Sequence, residues 1–272
     1  RISDDEFWIV SSGISERYQK RFYKSVQLPE NTSFQSRTDE ICGFNVAGPK
    51  SREILQRLSN QDLSNKNWSF MRSGYLSIAG VSCLALRISF TGDLGWEIYC
   101  ETSKQQIVYE ALLQEAINER GGPVGSRALM SLRIETGYGS WSREYSPEVW
   151  PHECGLEKLC KLDKEFLNKG ELEKKLKTDP RELLMLIHLN EEDCISSNAD
   201  ATGGEPIFKN GKGLGRITSG AYGYTVGMSL ALGYLKDVIP GDNVEVMVLG
   251  QPHRGKVLEA PPFDPDGIIL RN

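Results

Sequence analysis

No apolar run in the 272-residue chain approaches the length of a bilayer helix, which excludes a membrane-spanning helical segment. Nor is there a dense Lys/Arg block: net charge is −5 and the sequence pI is near 5.4, so nothing tracks a phosphate backbone and nucleic acid is not an expected partner. The six cysteines (Cys42, Cys83, Cys100, Cys154, Cys160, Cys194) include no Cys-x-x-Cys pair. They read as reduced, buried thiols of an intracellular protein, with neither metal-ligand spacing nor a disulfide framework. Only three histidines occur, His152, His188 and His253, far apart in the chain and with no Gly-x-Ser-x-Gly, so hydrolase chemistry has no support. His188 reads as part of an apolar strand and His253 as part of a turn, both structural. Internal repeats and low-complexity tracts are absent.

What remains is the balance of a globular protein, 39% hydrophobic and 25% charged, at a length suited to one large or two ordinary domains. The chain starts at Arg1 without Met, directly before the apolar run Phe7-Trp8-Ile9-Val10, and reads as a fragment or processed product. That run reads as a strand. Ile14, Tyr18 and Phe22 recur at helical spacing, and residues 26–36 read as loop. A strand over 41–46, a helix begun at Pro49 and ending at Leu58, a hairpin of 74–78 and 82–90 turning at Ala79-Gly80, and a strand over 96–100 follow. Thr102 is expected to cap a helix bearing Ile107, Val108, Ala111, Leu112 and Ala116, and a second helix runs from Ser126 to Tyr138. This order, with turns too short for parallel crossovers, predicts an antiparallel α+β layer.

The charged stretch Lys158 to Glu182 ends in Thr178-Asp179-Pro180 and is read in its second half as a connection, the alternative being a solvated helix face. Beyond it short strands recur at 183–189, 205–208, 214–218, 230–235, 243–248 and 251–258, with Asn210-Gly211 as a hairpin turn. They predict a small antiparallel barrel or sandwich, and domains over 1–175 and 176–272. Gly211-Lys212-Gly213-Leu214-Gly215 opens no helix, which excludes it as a dinucleotide loop.

The most informative stretch is Phe90-Thr91-Gly92-Asp93-Leu94-Gly95-Trp96-Glu97, which sets a carboxylate at the mouth of a strand-turn-strand corner. Gly92 and Gly95 are expected to take positive φ and let the backbone approach a flat ligand, whose two adjacent N–H donors one ionised Glu97 can accept. The bland alternative is an ordinary turn with a solvated Glu. A second region is Leu132-Arg133-Ile134-Glu135-Thr136-Gly137-Tyr138, then Trp141-Ser142-Arg143-Glu144 and Pro151-His152-Glu153-Cys154-Gly155-Leu156. There Tyr138 and Trp141 could wall a ring while Arg133 or Arg143 meets an anionic tail, unless the aromatics only pack. Ser219-Gly220-Ala221-Tyr222-Gly223-Tyr224 is either a strand-end turn or a loop closing over a pocket.

Together with Lys161-Leu162-Asp163-Lys164 and Ile217-Thr218-Ser219-Gly220, these segments resemble, in order and spacing, the tetrahydrofolate-dependent aminomethyltransferase family that includes the glycine-cleavage T-protein. The wording of residues 85–89 and 140–144 is closer to the C-terminal folate domain of the flavin-linked dimethylglycine and sarcosine dehydrogenases. The resemblance covers essentially the whole chain. It implies α+β folate-binding lobes of a cloverleaf followed by a C-terminal antiparallel β-barrel domain, and a one-carbon (methylene) transferase acting in glycine, sarcosine or dimethylglycine catabolism.

The cofactor implied is tetrahydrofolate. FAD would belong only to a domain absent from this chain. On the resemblance Glu97 matches the residue gripping the pterin edge, with Phe90, Trp96, Arg133, Tyr138, Trp141 and Glu153 as further binding positions. The implied partners are the folate, a methylated-amine-derived one-carbon unit, and a flavin domain or missing N-terminal segment. The compartment is either bacterial cytoplasm or mitochondrial matrix. Two departures stand out: the family's catalytic Asp is expected upstream of Arg1, leaving no catalytic residue to name here, and Phe90 stands where flavin-linked relatives often carry Tyr. A catalytically silent folate-binding or regulatory module, a stand-alone glycine-cleavage aminomethyltransferase that docks a lipoyl carrier, and a methyl-transferring demethylase are the alternatives.

Overall fold

Alternation of apolar and polar residues builds the first sheet. A computed structural model describes residues 1–190 and 199–272, so the thiol read at Cys194 lies outside the described residues. Strands β1 (Ile41–Ala47), β2 (Ser73–Ile78), β3 (Val81–Leu86) and β4 (Gly95–Glu101) form an antiparallel sheet of order β1-β4-β3-β2. Along β4, Trp96, Ile98 and Cys100 are buried while Glu97 and Tyr99 between them are only half-buried, as the period of two requires. The buried face joins Leu55 of α2 (Ser51–Leu58) and Val108 and Leu112 of α3 (Gln105–Asn118) in one core. Ala79 and Gly80 close the β2–β3 hairpin with φ of 49° and 80°, the paired positive values of a two-residue turn that matches strand twist.

Contacts divide the described chain into residues 1–129 with 266–272, and residues 130–265. In the first unit α1 (Glu16–Ser25) confirms the helical spacing, yet buries no residue: Ile14 before it and Tyr18 and Phe22 on it are exposed. Phe7 to Val10 is not a strand, because no neighbouring strand pairs with it among the described residues, and Phe7, Ile9 and Val10 are exposed. Thr102 does not cap α3. Its hydroxyl donates to the Asp39 carbonyl, and a short 3₁₀ turn, Thr102–Lys104, precedes the helix.

Strand β3 also ends earlier than its sequence suggests, at Leu86, because Arg87 turns inward and is fully buried. Its guanidinium donates to the carbonyl oxygens of Gly95 (3.2 Å), Leu270 (2.9 Å) and Asn272 (2.7 Å) and lies over the Trp96 ring. Burial, then the neighbouring Arg52 charge, push its pKa down to about 10, still charged at neutral pH. Arg87 thereby ties the short α6 (Ile268–Arg271) to the corner before β4. Replacing Arg87 by Met should remove the guanidinium donor of the Gly95 and Leu270 carbonyls at a cost of about 1–3 kcal/mol each where they stay dry, while Arg52 Nη2 still donates to the Asn272 carbonyl at 2.6 Å. Amide exchange over residues 266–272 should rise by at least tenfold; unchanged exchange would show the tail is held by other contacts.

In the second unit, β5 (Leu183–Leu189), β6 (Pro206–Lys209), β7 (Lys212–Gly223), β8 (Met228–Leu235), β9 (Asn243–Val248) and β10 (Gln251–Val257) close into a barrel of order β10-β5-β8-β7-β6-β9. Closure, rather than a sandwich, removes every sheet edge. Its interior holds Ile187, Leu189, Ile207, Ile217, Ala231, Val246 and Val257. Two readings are corrected. Residues 219–223 continue β7, forming neither a strand-end turn nor a loop over a pocket, and His253 is a buried residue of β10 instead of part of a turn. The charged stretch before the barrel carries α5 (Lys169–Leu176), which buries nothing and is a solvated face.

Candidate functional site

The corner 87–94 is a loop stapled by hydroxyls. Ser89 and Thr91 Oγ atoms lie 3.0 Å apart, the Thr91 N–H donates to Ser89, and the Asp93 N–H donates to Thr91. Gly92 takes φ of 84° as expected. Gly95 does not adopt a positive φ; its lack of a side chain serves close packing, since a Cβ there would stand 2.7 Å from Ser89 Cβ. Beyond the corner β4 presents Glu97 on the face opposite the core. Across the ladder it pairs with Asn45 of β1 and Leu86 of β3. The Tyr99 hydroxyl donates to Glu97 Oε2 at 2.5 Å, while Oε1 accepts no hydrogen bond among the described residues. A carboxylate has about four lone-pair sites, so this group keeps most of its accepting capacity.

The other residues singled out in this unit behave differently. Trp96 is 1% exposed, 5.3 Å from the Trp68 ring, with Arg52 and Arg87 over its face, so it stands in the core. Phe90 is half-buried in the corner. On the core face Cys42 and Cys100, opposite one another in register, bring their Sγ atoms to 3.3 Å, with Cys83 beside them in the same core. Burial pushes Cys83 up to about 11 and Cys100 up to about 12, which keeps both protonated. Among the described residues no group of His, Cys, Asp or Glu is placed to hold a metal ion.

In the second unit the motif residues form two knots. Arg133, on α4 (Ser126–Glu135), donates to Glu144 Oε2 at 3.2 Å and to the Tyr138 carbonyl at 2.8 Å; the two charged side chains are 2% and 0% exposed. Glu144 also accepts from the Ser140 N–H and from the hydroxyls of Thr218 and Ser219 on β7. Burial raises its pKa, but Arg133 and these donors outweigh burial and leave it lowered. The pair fixes the 138–145 loop, where Tyr138 and Trp141 are half-buried. Arg143 of that loop donates to the Thr202 carbonyl and lines a polar hollow of about 360 Å³ with Arg181 and Arg216.

Glu153 forms the second knot. It takes the Arg181 Nε at 2.7 Å, Arg181 Nη2 at 2.7 Å and the N–H of Trp150 at 2.8 Å. The Arg181 hydrogen bonds, only partly opposed by burial, bring its pKa from 4.5 to about 2. A depressed carboxylate contributes stability above its unfolded value and loses it as pH falls through the folded value, so the window here is pH 4.5 down to 2. With Arg181 itself 63% exposed, screening reduces the contribution to about 2 kcal/mol. Glu153→Gln should flatten the stability-versus-pH curve across that window in urea titrations at stepped pH; an unaltered slope would remove Glu153 from the acid response.

Neither Tyr99 nor Glu144 was singled out as a site residue by its sequence. Tyr99 carried a usable signal, being two residues from Glu97 on a strand and so on its face. Glu144 stood in the Trp141-Ser142-Arg143-Glu144 motif, but its hydroxyl partners Thr218 and Ser219 are over seventy residues away, so its place at the centre of a knot was not legible.

Comparison with known proteins matches residues 1–164 to the GCVT N-terminal domain and residues 186–264 to the glycine cleavage T-protein C-terminal barrel domain. The chain belongs to the glycine cleavage T-protein family. It is 32% identical over 267 residues to mouse mitochondrial dimethylglycine dehydrogenase, covering 95% of this chain and 30% of that protein. It is 27% identical over 267 residues to an aminomethyltransferase of Desulforamulus reducens, covering 96% and 70%. The crystal structure of the glycine cleavage system aminomethyltransferase T of Bartonella henselae shares the family fold, with TM-score 0.69 and 21% identity over 80% of this chain and 58% of that one. The chain spans about 30% of the length of the dehydrogenases it matches.

Proposed function

We propose that this chain is a tetrahydrofolate-binding one-carbon transfer domain, in which the Glu97 carboxylate accepts the paired N–H donors of the pterin edge. One observation carries the reading: Glu97 sits on the non-core face of β4, held at one oxygen and open at the other. The residues fit the group, since a flat edge with two neighbouring donors needs two accepting oxygens side by side. Among the described residues in its own unit nothing occupies Oε1. When bound, tetrahydrofolate supplies a nucleophilic nitrogen that takes up a one-carbon unit at the formaldehyde level. The protein's share is orientation of that ring. The greater identity to dimethylglycine dehydrogenase than to the bacterial aminomethyltransferase supports placement beside a flavin-linked domain, which would deliver the one-carbon unit from a methylated amine.

In this reading Arg133 and Glu153 act through the loops they fasten, and Tyr138 and Trp141 are held rather than loose. Calorimetric titration with 5-formyl-tetrahydrofolate tests the proposal. Binding that Glu97→Gln weakens supports it, and binding indifferent to that substitution refutes the role of Glu97. A second reading, a module that binds folate without turnover, is favoured by Phe90, which brings no hydroxyl to the corner. Retained binding with no methylene transfer in the flavin-linked protein would select it.

A further inference from the structure

On the reading that Glu97 holds the ligand edge, we propose that Tyr99 is the residue that positions this carboxylate, and that Gly43 is a glycine because the Tyr99 ring must lie across it. Glu97 is a half-buried, three-torsion side chain on the non-core face of β4, so the core does not choose its rotamer. The 2.5 Å bond from the Tyr99 hydroxyl supplies that choice from the same strand face. Tyr99 is itself placed by its cross-strand partner. Gly43 stands opposite it in the β1–β4 register, and a Cβ on Gly43 would lie 2.8 Å from Tyr99 Cε1 and 3.1 Å from Cδ1. The ring therefore rests on bare backbone of the edge strand β1, a Gly–aromatic pairing that locks an otherwise mobile phenol.

Burial, then the Glu97 carboxylate, push the phenol's pKa well above its ordinary value, so the hydroxyl remains a donor at any physiological pH. Tyr99 takes one lone pair of Oε2. The remaining lone pair on Oε2 and those on Oε1 are left for a heterocycle bearing two adjacent N–H donors. Tyr99 touches no ligand in this arrangement. It acts only through Glu97, which makes it a positioning residue for that ligand class.

A double-mutant cycle with 5-formyl-tetrahydrofolate distinguishes this from simple packing. Tyr99→Phe keeps the ring, and its melting temperature reports that the fold survives. We expect Tyr99→Phe to weaken binding by about tenfold while Glu97 is intact, and to have no further effect in an E97A background, where no side-chain acceptor remains to be positioned. Gly43→Ala, which pushes the ring aside, should give the same background-dependent loss. A loss from Tyr99→Phe that is equal in both backgrounds, or no loss in either, overturns the positioning role while leaving the pterin reading standing. An E97Q protein that binds as well as the parent overturns the pterin reading, and this inference with it.

Discussion

Glu144→Ala should destabilise the barrel unit by about 3–5 kcal/mol, the range for removing one partner of a buried ion pair. The magnitude follows from what is left behind. Arg133 is 2% exposed, and without Glu144 its guanidinium keeps the Tyr138 carbonyl but no anion. The Ser140 N–H and the Thr218 and Ser219 hydroxyls lose an acceptor at the same time, although Thr218 retains the Leu232 carbonyl. Hydrogen exchange along β7 (Lys212–Gly223) is the direct readout, because the Glu144 side chain reaches that strand. Protection there should fall by two or more orders of magnitude, consistent with about 3 kcal/mol. The double substitution of Arg133 and Glu144 by Met should cost clearly less than the sum of the single losses, since no uncompensated charge remains. Additive losses would mean the two groups act independently and the knot is not the unit described.

The second large effect is on binding. Glu97→Gln keeps the shape of the side chain and swaps one accepting oxygen for an NH₂ donor. Facing a ligand edge with two donors, the amide can accept one hydrogen bond and must oppose the other. Losing charge assistance on the first and making the second repulsive should cost about 2–4 kcal/mol, or roughly thirtyfold to a thousandfold in dissociation constant. The fold should be indifferent, because Glu97 lies on the non-core face and its hydrogen-bond donor, Tyr99, retains an acceptor in the amide oxygen. A melting temperature within about 1 °C of the parent alongside weakened binding would confirm that the carboxylate belongs to recognition and not to stability. An unchanged affinity would return Glu97 to the status of a solvated strand residue.

Much of this was legible in the residues themselves. The alternation of Trp96, Ile98 and Cys100 with Glu97 and Tyr99 assigns β4 its two faces without reference to any other strand. Asn210-Gly211 and Ala79-Gly80 announce their hairpins because few residue pairs accept two successive positive φ values. Phe7 to Val10 misled for the opposite reason: an apolar run makes a strand only when a partner edge is available. Arg87 was similarly opaque. An arginine inside a strand pattern reads as outward-facing, yet it is drawn inward by carbonyl oxygens at residues 270 and 272.

What the sequence by itself determined was local: most of the helices and strands, and where the hairpins turn. These follow from torsional preference and side-chain period, which each residue and its near neighbours carry. The residues left barrel and sandwich open, with the family resemblance pointing to a barrel, and the tertiary structure shows six strands closed and Cys42 meeting Cys100. It also decided that Arg133 is answered by Glu144, and that the Tyr99 phenol rests on Gly43 while holding Glu97. These are matters of register and packing between distant segments, where one partner's identity constrains the other only after the chain has brought them together.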